Sequence, residues 1–493
     1  MTTLYQPSER AVERATNYSF WIVFGIALYT PFEEFFLRWL PGIIPVALRF
    51  VPEFILYWLL FVVCCSRLMR GYPLRKTPID WLIGAFFLAT IISMVLNSSP
   101  VIGSIINLRT IWRYLSVFYI VVNMDISPKE LKLMLNGLKI VMLAQGLIGS
   151  IQYFLPAGFN QAFFAPREFE IGDYQGESMA ATGDLKVGAT AGTFSDSAVL
   201  SAFLLVGLSL FLSSAYAVGG SLIPNGFDVS GMGALLFGIF ASKKRAALAI
   251  ALITPLMVFY VYNKRKTLAN VTWLYGGIAL LAVIMLAVAG VAVESFSGAD
   301  DRQKSIDLGA YFLQVFSPEY WQQSNEQARG WFMQVILNGL FNTQSWFGFG
   351  PDFAVTQESL RETLSSASEM AKLERDAGVF DDSFWFAFIA YFGIVGTVIY
   401  GFILKRLYDA ARWLIRSSAE PELRTLGATF ATLVFVTVLY TFVERIFRLR
   451  AFSFYFWLLA GLVINMCHMK MALIKAARQP HATAIGDSRK LLQ

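Results

Sequence analysis

The chain is a succession of apolar runs separated by short polar connections. A run of about 20 residues crosses a bilayer core of ~30 Å as a helix. Such runs begin near Tyr18, Val51, Asp80, Arg109, Leu131, Ser197, Val229, Ala246, Leu268, Ser383, Thr425 and Phe452, which predicts about twelve transmembrane helices. The run starting at Val229 ends before Ser242 and is short. Only helices and closed barrels satisfy their backbone groups in lipid, and these runs are helix-length. The expected fold class is therefore all-α, a polytopic helical membrane protein.

Two polar excursions interrupt the pattern, one from about Pro156 to Asp196 and a longer one from Glu294 to Asp382. They divide the chain into residues 1–293 (helices 1–9, with a loop near 156–196), residues 294–382 (a large loop) and residues 383–493 (helices 10–12 and a C-terminal tail). Within the large loop, Glu326 to Phe341 reads as an amphipathic helix with Trp331, Val335 and Ile336 among its apolar positions. Gly348-Phe349-Gly350-Pro351 reads as a turn, and Asp352 as the cap of a second helix running to about Asp376. The Phe, Trp and Leu content of the loop predicts a fold against the membrane face, not a solvated linker.

Composition narrows the chemistry. Of the residues, 56% are hydrophobic and 15% charged, as a chain dominated by spans requires. The cysteines are Cys64, Cys65 and Cys467; an adjacent pair is a poor disulfide, and no CxxC spacing occurs. Both histidines, His468 and His481, lie in the tail. Redox chemistry, a metal site and a cofactor are not expected, and a catalytic base has to be something other than histidine. The polar stretch Met1–Asn17 is not followed by the small-residue cleavage site of a secretory signal.

Lys and Arg accumulate in cytoplasmic connections. Arg67, Arg70, Arg75 and Lys76, then Lys264–Lys266, then Lys405, Arg406, Arg412 and Arg416, then Lys470, Lys475 and Arg478 all fall on one side, which puts both termini in the cytoplasm and both polar excursions outside. These loops account for much of the +6 charge, so no nucleic-acid partner is implied. Other basic groups run against the bias. Lys243, Lys244 and Arg245 lie in an outer turn; Arg445, Arg448 and Arg450 lie in a short outer connection; Arg109 and Arg113 are one helical turn apart near an outer helix end; Arg329 is in the large loop. Each can snorkel to lipid phosphates or pair with an acid. Four such clusters on one face point instead to a shared anionic ligand, a lipid carrying phosphate or diphosphate. Arginine suits that ligand because its planar fork donates two parallel hydrogen bonds while staying charged.

Four short segments then carry a resemblance: Gly192-Thr193-Phe194-Ser195-Asp196; Ser242-Lys243-Lys244-Arg245-Ala246-Ala247; Arg329 and Trp331 followed by Gly348-Phe349-Gly350-Pro351; and Asp382-Ser383-Phe384-Trp385 leading into Gly393-Ile394-Val395-Gly396. In this order the chain resembles the O-antigen polymerase and ligase superfamily, the Wzy-like and WaaL-like membrane glycosyltransferases, over about Gly192 to Tyr400. The resemblance implies a GT-C-like enzyme on the outer face of the inner membrane. It would join oligosaccharides carried on undecaprenyl diphosphate without metal or nucleotide sugar, with a chain-length regulator protein as a partner. Arg245 and Arg329 would hold the diphosphate, with Arg109, Arg113, Lys244, Arg445, Arg448 and Arg450 as further substrate contacts. Asp382 would be the general base and Asp381 its rival, although both acids equally suit the cap of the span that follows. Aspartate at 382, where many ligases carry histidine, leans toward a polymerase; Ser383 replaces the family's asparagine. A ligase, or a transporter of lipid-linked sugar, remains the alternative, though no internal repeat of the transporter kind stands out. Trp112, Trp331, Trp346 and Trp385 suit either sugar stacking or interfacial anchoring, and Arg167, Glu168, Glu170, Asp173 and Glu177 beside Tyr174 suit a sugar site or a solvated loop.

Overall fold

The computed structural model describes residues 9–40, 44–164, 170–171, 174–175, 189–217, 226–262, 329–375 and 383–490. These are helical throughout apart from turns and one antiparallel pair of two-residue strands, Glu170–Ile171 with Tyr174–Gln175. Helix α1 (Glu9–Tyr29) passes through a 3-10 turn at Thr30–Phe32 into α2 (Glu33–Arg38). Then come α3 (Ile44–Leu48), α4 (Val51–Met69), α5 (Asp80–Leu96), α6 (Val101–Trp112), α7 (Leu115–Asn123), α8 (Pro128–Phe154) and α9 (Ala157–Phe163). They are followed by α10 (Ser197–Ala217), α11 (Gly226–Ala241) and α12 (Arg245–Tyr262). The large loop contributes α13 (Arg329–Asn342), α14 (Phe353–Glu362) and α15 (Ala367–Arg375), and the chain closes with α16 (Phe384–Ser417), α17 (Pro421–Tyr440) and α18 (Arg450–Lys490).

Among the described residues, 8 helices are long and apolar enough to cross a membrane. Helices α6 and α7, bent by 50° at Arg113–Tyr114, make a ninth if counted as one broken span. Helices α5 and α11 are apolar but shorter, at 17 and 16 residues. The protein is a polytopic helical membrane protein. The span expected at Leu268 lies outside the described residues. The helix expected to begin at Arg109 begins at Val101, so Arg109 lies within α6 and Arg113 at the bend that follows it.

Helix α10 shows why the bundle packs as it does. Its Leu, Phe, Ala and Ser residues are buried on every side, the mark of a central helix. It contacts α8, α11, α12, α17 and α18. Its small residues Ser201, Gly207 and Ser209 let neighbouring helices approach closely, which is what drives helix association in lipid. The peripheral helices instead leave Phe54, Trp58, Phe61, Leu88, Ile91, Val95, Ile102 and Ile105 exposed, a lipid-facing surface.

The large loop folds onto this bundle. In α13, Phe332, Val335, Ile336 and Leu340 are buried, a single stripe at helical spacing. Asp352 caps α14, accepting from the Ala354 and Val355 amides at 3.0 and 3.2 Å. The helix expected to run on to about Asp376 is split: α14 ends at Glu362, and Ser366 starts α15 by accepting from the Glu369 amide at 3.2 Å. Serines favour such caps over helix interiors because their side chains compete for backbone hydrogen bonds.

The tightest seam joins this loop to α16, which is broken at Gly393 (φ 65°, ψ −168°). A break inside a span frees backbone groups that lipid cannot satisfy. Here the segment 346–349 satisfies them. The Phe349 amide donates to Ala390 O at 2.8 Å and the Val395 amide to Trp346 O at 3.1 Å, while Ser93 Oγ donates to Tyr391 O at 3.3 Å. Gly348 (φ 85°) lies so close that a Cβ on it would fall 2.6 Å from both Gly393 N and Tyr391 O. The two glycines interlock.

The connections sort to two ends of the bundle. At one, Arg75 meets Asp125, His468 Nε2 lies 3.0 Å from Lys76 O, Lys132 pairs with Glu422 and Lys470 with Glu420. This is called the Asp125 end. At the other lie residues 97–101, 189–196, 242–244, 346–353 and 441–449, the Gly393 end.

Candidate functional site

All four singled-out segments have described residues at the Gly393 end. The first, Gly192–Asp196, is fixed by two glutamines of α8. Gln152 exchanges two hydrogen bonds with the Gly192 backbone, at 2.7 and 2.8 Å, and Gln145 donates to Thr193 Oγ1 at 2.5 Å. Thr193 Oγ1 donates in turn to Pro31 O at 2.5 Å, and Glu34 accepts from the Ser195 amide. The second segment meets the first: the Thr190 amide donates to Ala241 O at 3.1 Å, and Lys244 Nζ lies 3.9 Å from Asp196 Oδ1. Within that turn Ser242 is fully buried and bonds Ile239 O at 2.6 Å, while Lys243 takes a left-handed φ of 54°. Burial pushes the Lys243 ammonium below its ordinary value. Arg245 opens α12 beside it.

Next to this turn lies a charge cluster built across α2, α4, the α6–α7 bend and the start of α18. Glu53 Oε2 accepts from Arg109 Nη2, and Glu53 Oε1 lies 3.2 Å from Arg113 Nε. Glu33 Oε1 lies 3.6 Å from Arg450 Nη1, and Arg49 is within electrostatic reach of Glu33. The side chains of Glu33 and Glu53 are each only 5% exposed. A buried carboxylate is held in place by its partners, because removing one leaves an uncompensated charge. Tyr114, wholly buried at the bend, is in electrostatic reach of Arg113, Arg450 and both glutamates.

Arg445 and Arg448 line a hollow of ≈230 Å³, counting the space at its mouth. Its walls are Ile111, Phe384, Ala387, Phe388 and Tyr391. Arg448 Nη2 donates to Asn107 Oδ1 at 3.3 Å, and Asn107 Nδ2 donates to Pro351 O at 2.9 Å, which ties the arginine to the Gly348–Pro351 turn. Ser383 Oγ donates to Phe442 O at 3.2 Å, and Tyr440 shares a 3.0 Å hydrogen bond with Ser201. The connection carrying Arg445 and Arg448 thus meets the fourth segment directly and the third through Asn107.

The structure therefore joins Arg109, Arg113 and Arg450 through two glutamates, sets Arg445 and Arg448 on one hollow, and puts Lys244 and Arg245 in one turn. Asp381, Asp382 and the Arg329 side chain lie outside the described residues. Glu33, Glu53, Asn107 and Tyr114 were not among the residues that the sequence singled out. The signal for them was present: an ionisable residue inside an apolar run marks a special environment, and Glu33, Glu34 and Glu53 are such residues. Two of the tryptophans prove to be core. Trp112 packs against Phe86, Tyr400 and Trp457, and Trp385 Nε1 donates to Val438 O at 3.2 Å. Trp346 is exposed, and Trp331 carries the Lys372 ammonium 4.5 Å from its ring centroid. Compared with known proteins, the chain matches no family model and no curated sequence.

Proposed function

We propose that the protein is a membrane glycosyltransferase that polymerises oligosaccharide repeat units carried on undecaprenyl diphosphate, with the Gly393 end as its working face. One observation carries the reading. Segments scattered from Gly192 to Gly396, which resemble the polymerase and ligase superfamily, meet at one end of the bundle, and the basic residues Arg109, Arg113, Arg245, Arg445, Arg448 and Arg450 gather there with them. In this reading the fold is GT-C-like with about twelve spans, both termini are cytoplasmic, and the Gly393 end faces the periplasm from the inner membrane.

The chemistry needs no cofactor. A sugar hydroxyl of one lipid-linked unit attacks the anomeric carbon of another. A glycosidic C–O bond forms, the bond to the diphosphate oxygen breaks, and its electron pair leaves with the diphosphate. The hydroxyl proton passes to a carboxylate, assigned to Asp382 with Asp381 as rival, and base catalysis of this kind contributes ~10²–10⁴-fold. Arg245 and Arg329 take the growing charge on the diphosphate, with Lys244, Arg445 and Arg448 around it. Preplaced cations in a site screened from water favour the transition state over the ground state. Arg109, Arg113 and Arg450, oriented by Glu53 and Glu33, hold the electrostatic background.

The test uses purified protein and undecaprenyl-diphosphate-linked repeat oligosaccharide with no second acceptor, the products being resolved by size. The expected outcome is a ladder of longer lipid-linked chains, lost by ~10²-fold or more in Asp382→Asn and reduced in Arg245→Lys. Product that forms only when a different acceptor is supplied would replace polymerase by ligase. No transfer to any acceptor would overturn the reading.

A further inference from the structure

Asn107 is a polar residue in an apolar helix. Its neighbours in α6, Ile105 and Ile106, are exposed on the lipid-facing surface, whereas Asn107 is half-buried and bonded to protein. Both ends of its side-chain amide are engaged. Oδ1 accepts from Arg448 Nη2 at 3.3 Å, and Nδ2 donates to Pro351 O at 2.9 Å. A guanidinium only donates and a backbone carbonyl only accepts, so the amide fits one way round. Aspartate, of the same shape, accepts at both oxygens, and leucine does neither. Asparagine matches both neighbours.

One of those neighbours is a fixed reference. The Gly348–Pro351 turn is seated on α16 through the Phe349 amide, and Gly348 O and Gly350 O accept from Asn97 Nδ2 and Thr356 Oγ1 at 3.1 and 2.7 Å. The other is a long side chain on the connection between α17 and α18. Arginine has several free torsions, and ordering them costs entropy. The Asn107 amide carries the order of the turn across to that guanidinium. The hollow is built on the same frame. Phe384, Ala387, Phe388 and Tyr391 come from α16, and Ile111 lies one helical turn beyond Asn107 on the same face of α6. Walls and arginine are thus registered to one another through the turn.

We propose that Asn107 is the positioning residue of this hollow. It sets the Arg448 fork for the lipid diphosphate and makes that setting depend on the seated Gly348–Pro351 turn. The inference rests on the reading of Arg448 as a diphosphate contact. A guanidinium held ready loses little freedom when its ligand arrives, so it binds more tightly than the same charge on a mobile side chain. The large loop then has a second task besides carrying Arg329, because unseating its turn releases Arg448 as well.

The test is a double-mutant cycle on detergent-purified protein, read by thermal stabilisation with undecaprenyl diphosphate. Asn107→Leu is expected to raise the lipid concentration needed for a given stabilisation about ten-fold, the weight of one hydrogen bond to a charged group. In an Arg448→Gln background the same substitution is expected to change it by less than about two-fold, since the group it acts through is gone. A merely structural asparagine would weaken binding equally in both backgrounds, and that additive result would overturn the proposal. Asn107→Gln offers the same two groups one methylene further out. Its smaller loss should also vanish in the Arg448→Gln background, which keeps the proposal testable if Asn107→Leu fails to fold. The product ladder, run in parallel, separates the two readings. An additive cycle with an intact ladder sinks only the role of Asn107, and a coupled cycle with no transfer sinks only the polymerase. Failure of undecaprenyl diphosphate to stabilise the wild type would overturn the proposal outright.

Discussion

Both ends of the bundle gather arginines around carboxylates, but the carboxylates differ in burial. At the Gly393 end Arg109, Arg113 and Arg450 meet two glutamates that are buried almost completely. At the Asp125 end Arg67, Arg70 and Arg75 meet one half-exposed aspartate, and backbone carbonyls supply much of the rest. The difference is one of solvent. A charge taken out of water must be matched by an opposite charge at close range, whereas a charge that water still reaches is largely screened. Sequence alone shows six arginines near helix ends. Burial separates a cluster whose carboxylates are shut off from water from one whose carboxylate water still reaches.

The largest expected effect follows from breaking the locked cluster. Glu53→Gln leaves Arg109 and Arg113 without their shared carboxylate, and removing one partner of a buried pair typically costs ~3–5 kcal/mol. Equilibrium unfolding of the purified protein in lipid nanodiscs would read this. The double variant Glu53→Gln/Arg113→Gln should recover part of the loss, because one uncompensated charge goes with it. Simple additivity of the two single variants would break the account of the Gly393 end as a coupled unit.

Next comes the interlock that holds the large loop. Gly348→Ala adds a Cβ 2.6 Å from two backbone atoms of α16 and also puts a side chain at a left-handed φ of 85°. The left-handed conformation costs ~1–2 kcal/mol and overpacking ~1–3 kcal/mol, so a loss of ~2–5 kcal/mol is expected. Limited proteolysis localises it: cleavage within 329–375 should speed up, and cleavage at the Asp125 end should not. Uniform acceleration would mean that the interlock stabilises the whole bundle, not one face of it.

The sequence made some of this architecture legible and left the rest hidden, for a physical reason in each case. Spans are legible because a local count of apolar residues decides whether a helix can sit in lipid, and α4, α8, α10, α17 and α18 begin within a few residues of the positions expected for them. The Asp352 cap was readable for the same reason, since its partners are two and three residues away. The break at Arg113–Tyr114 was not, because Glu53, which lies in another helix, helps to hold the bend. Gly348 and Gly393 stood out one by one as motif residues, but their mutual contact spans the large loop and has no local signature. The arginines of the candidate site were visible as departures from a charge rule. Their glutamate partners were passed over because Glu33 and Glu53 sit in runs that read as apolar helix.

The smallest expected effect separates the two ends most sharply. Asp125→Asn removes the one carboxylate on which Arg67, Arg70 and Arg75 converge, the nominal counterpart of Glu53→Gln. Yet the Asp125 side chain is half exposed, so water and salt screen its charge even though its arginine partners are largely buried. Its loss should shift unfolding stability by no more than ~1–2 kcal/mol, and added salt should shrink the shift further. A loss as large as that of Glu53→Gln would mean that the Asp125 end is a closed structural cluster like its opposite, and that the exposure of a carboxylate does not decide what its removal costs.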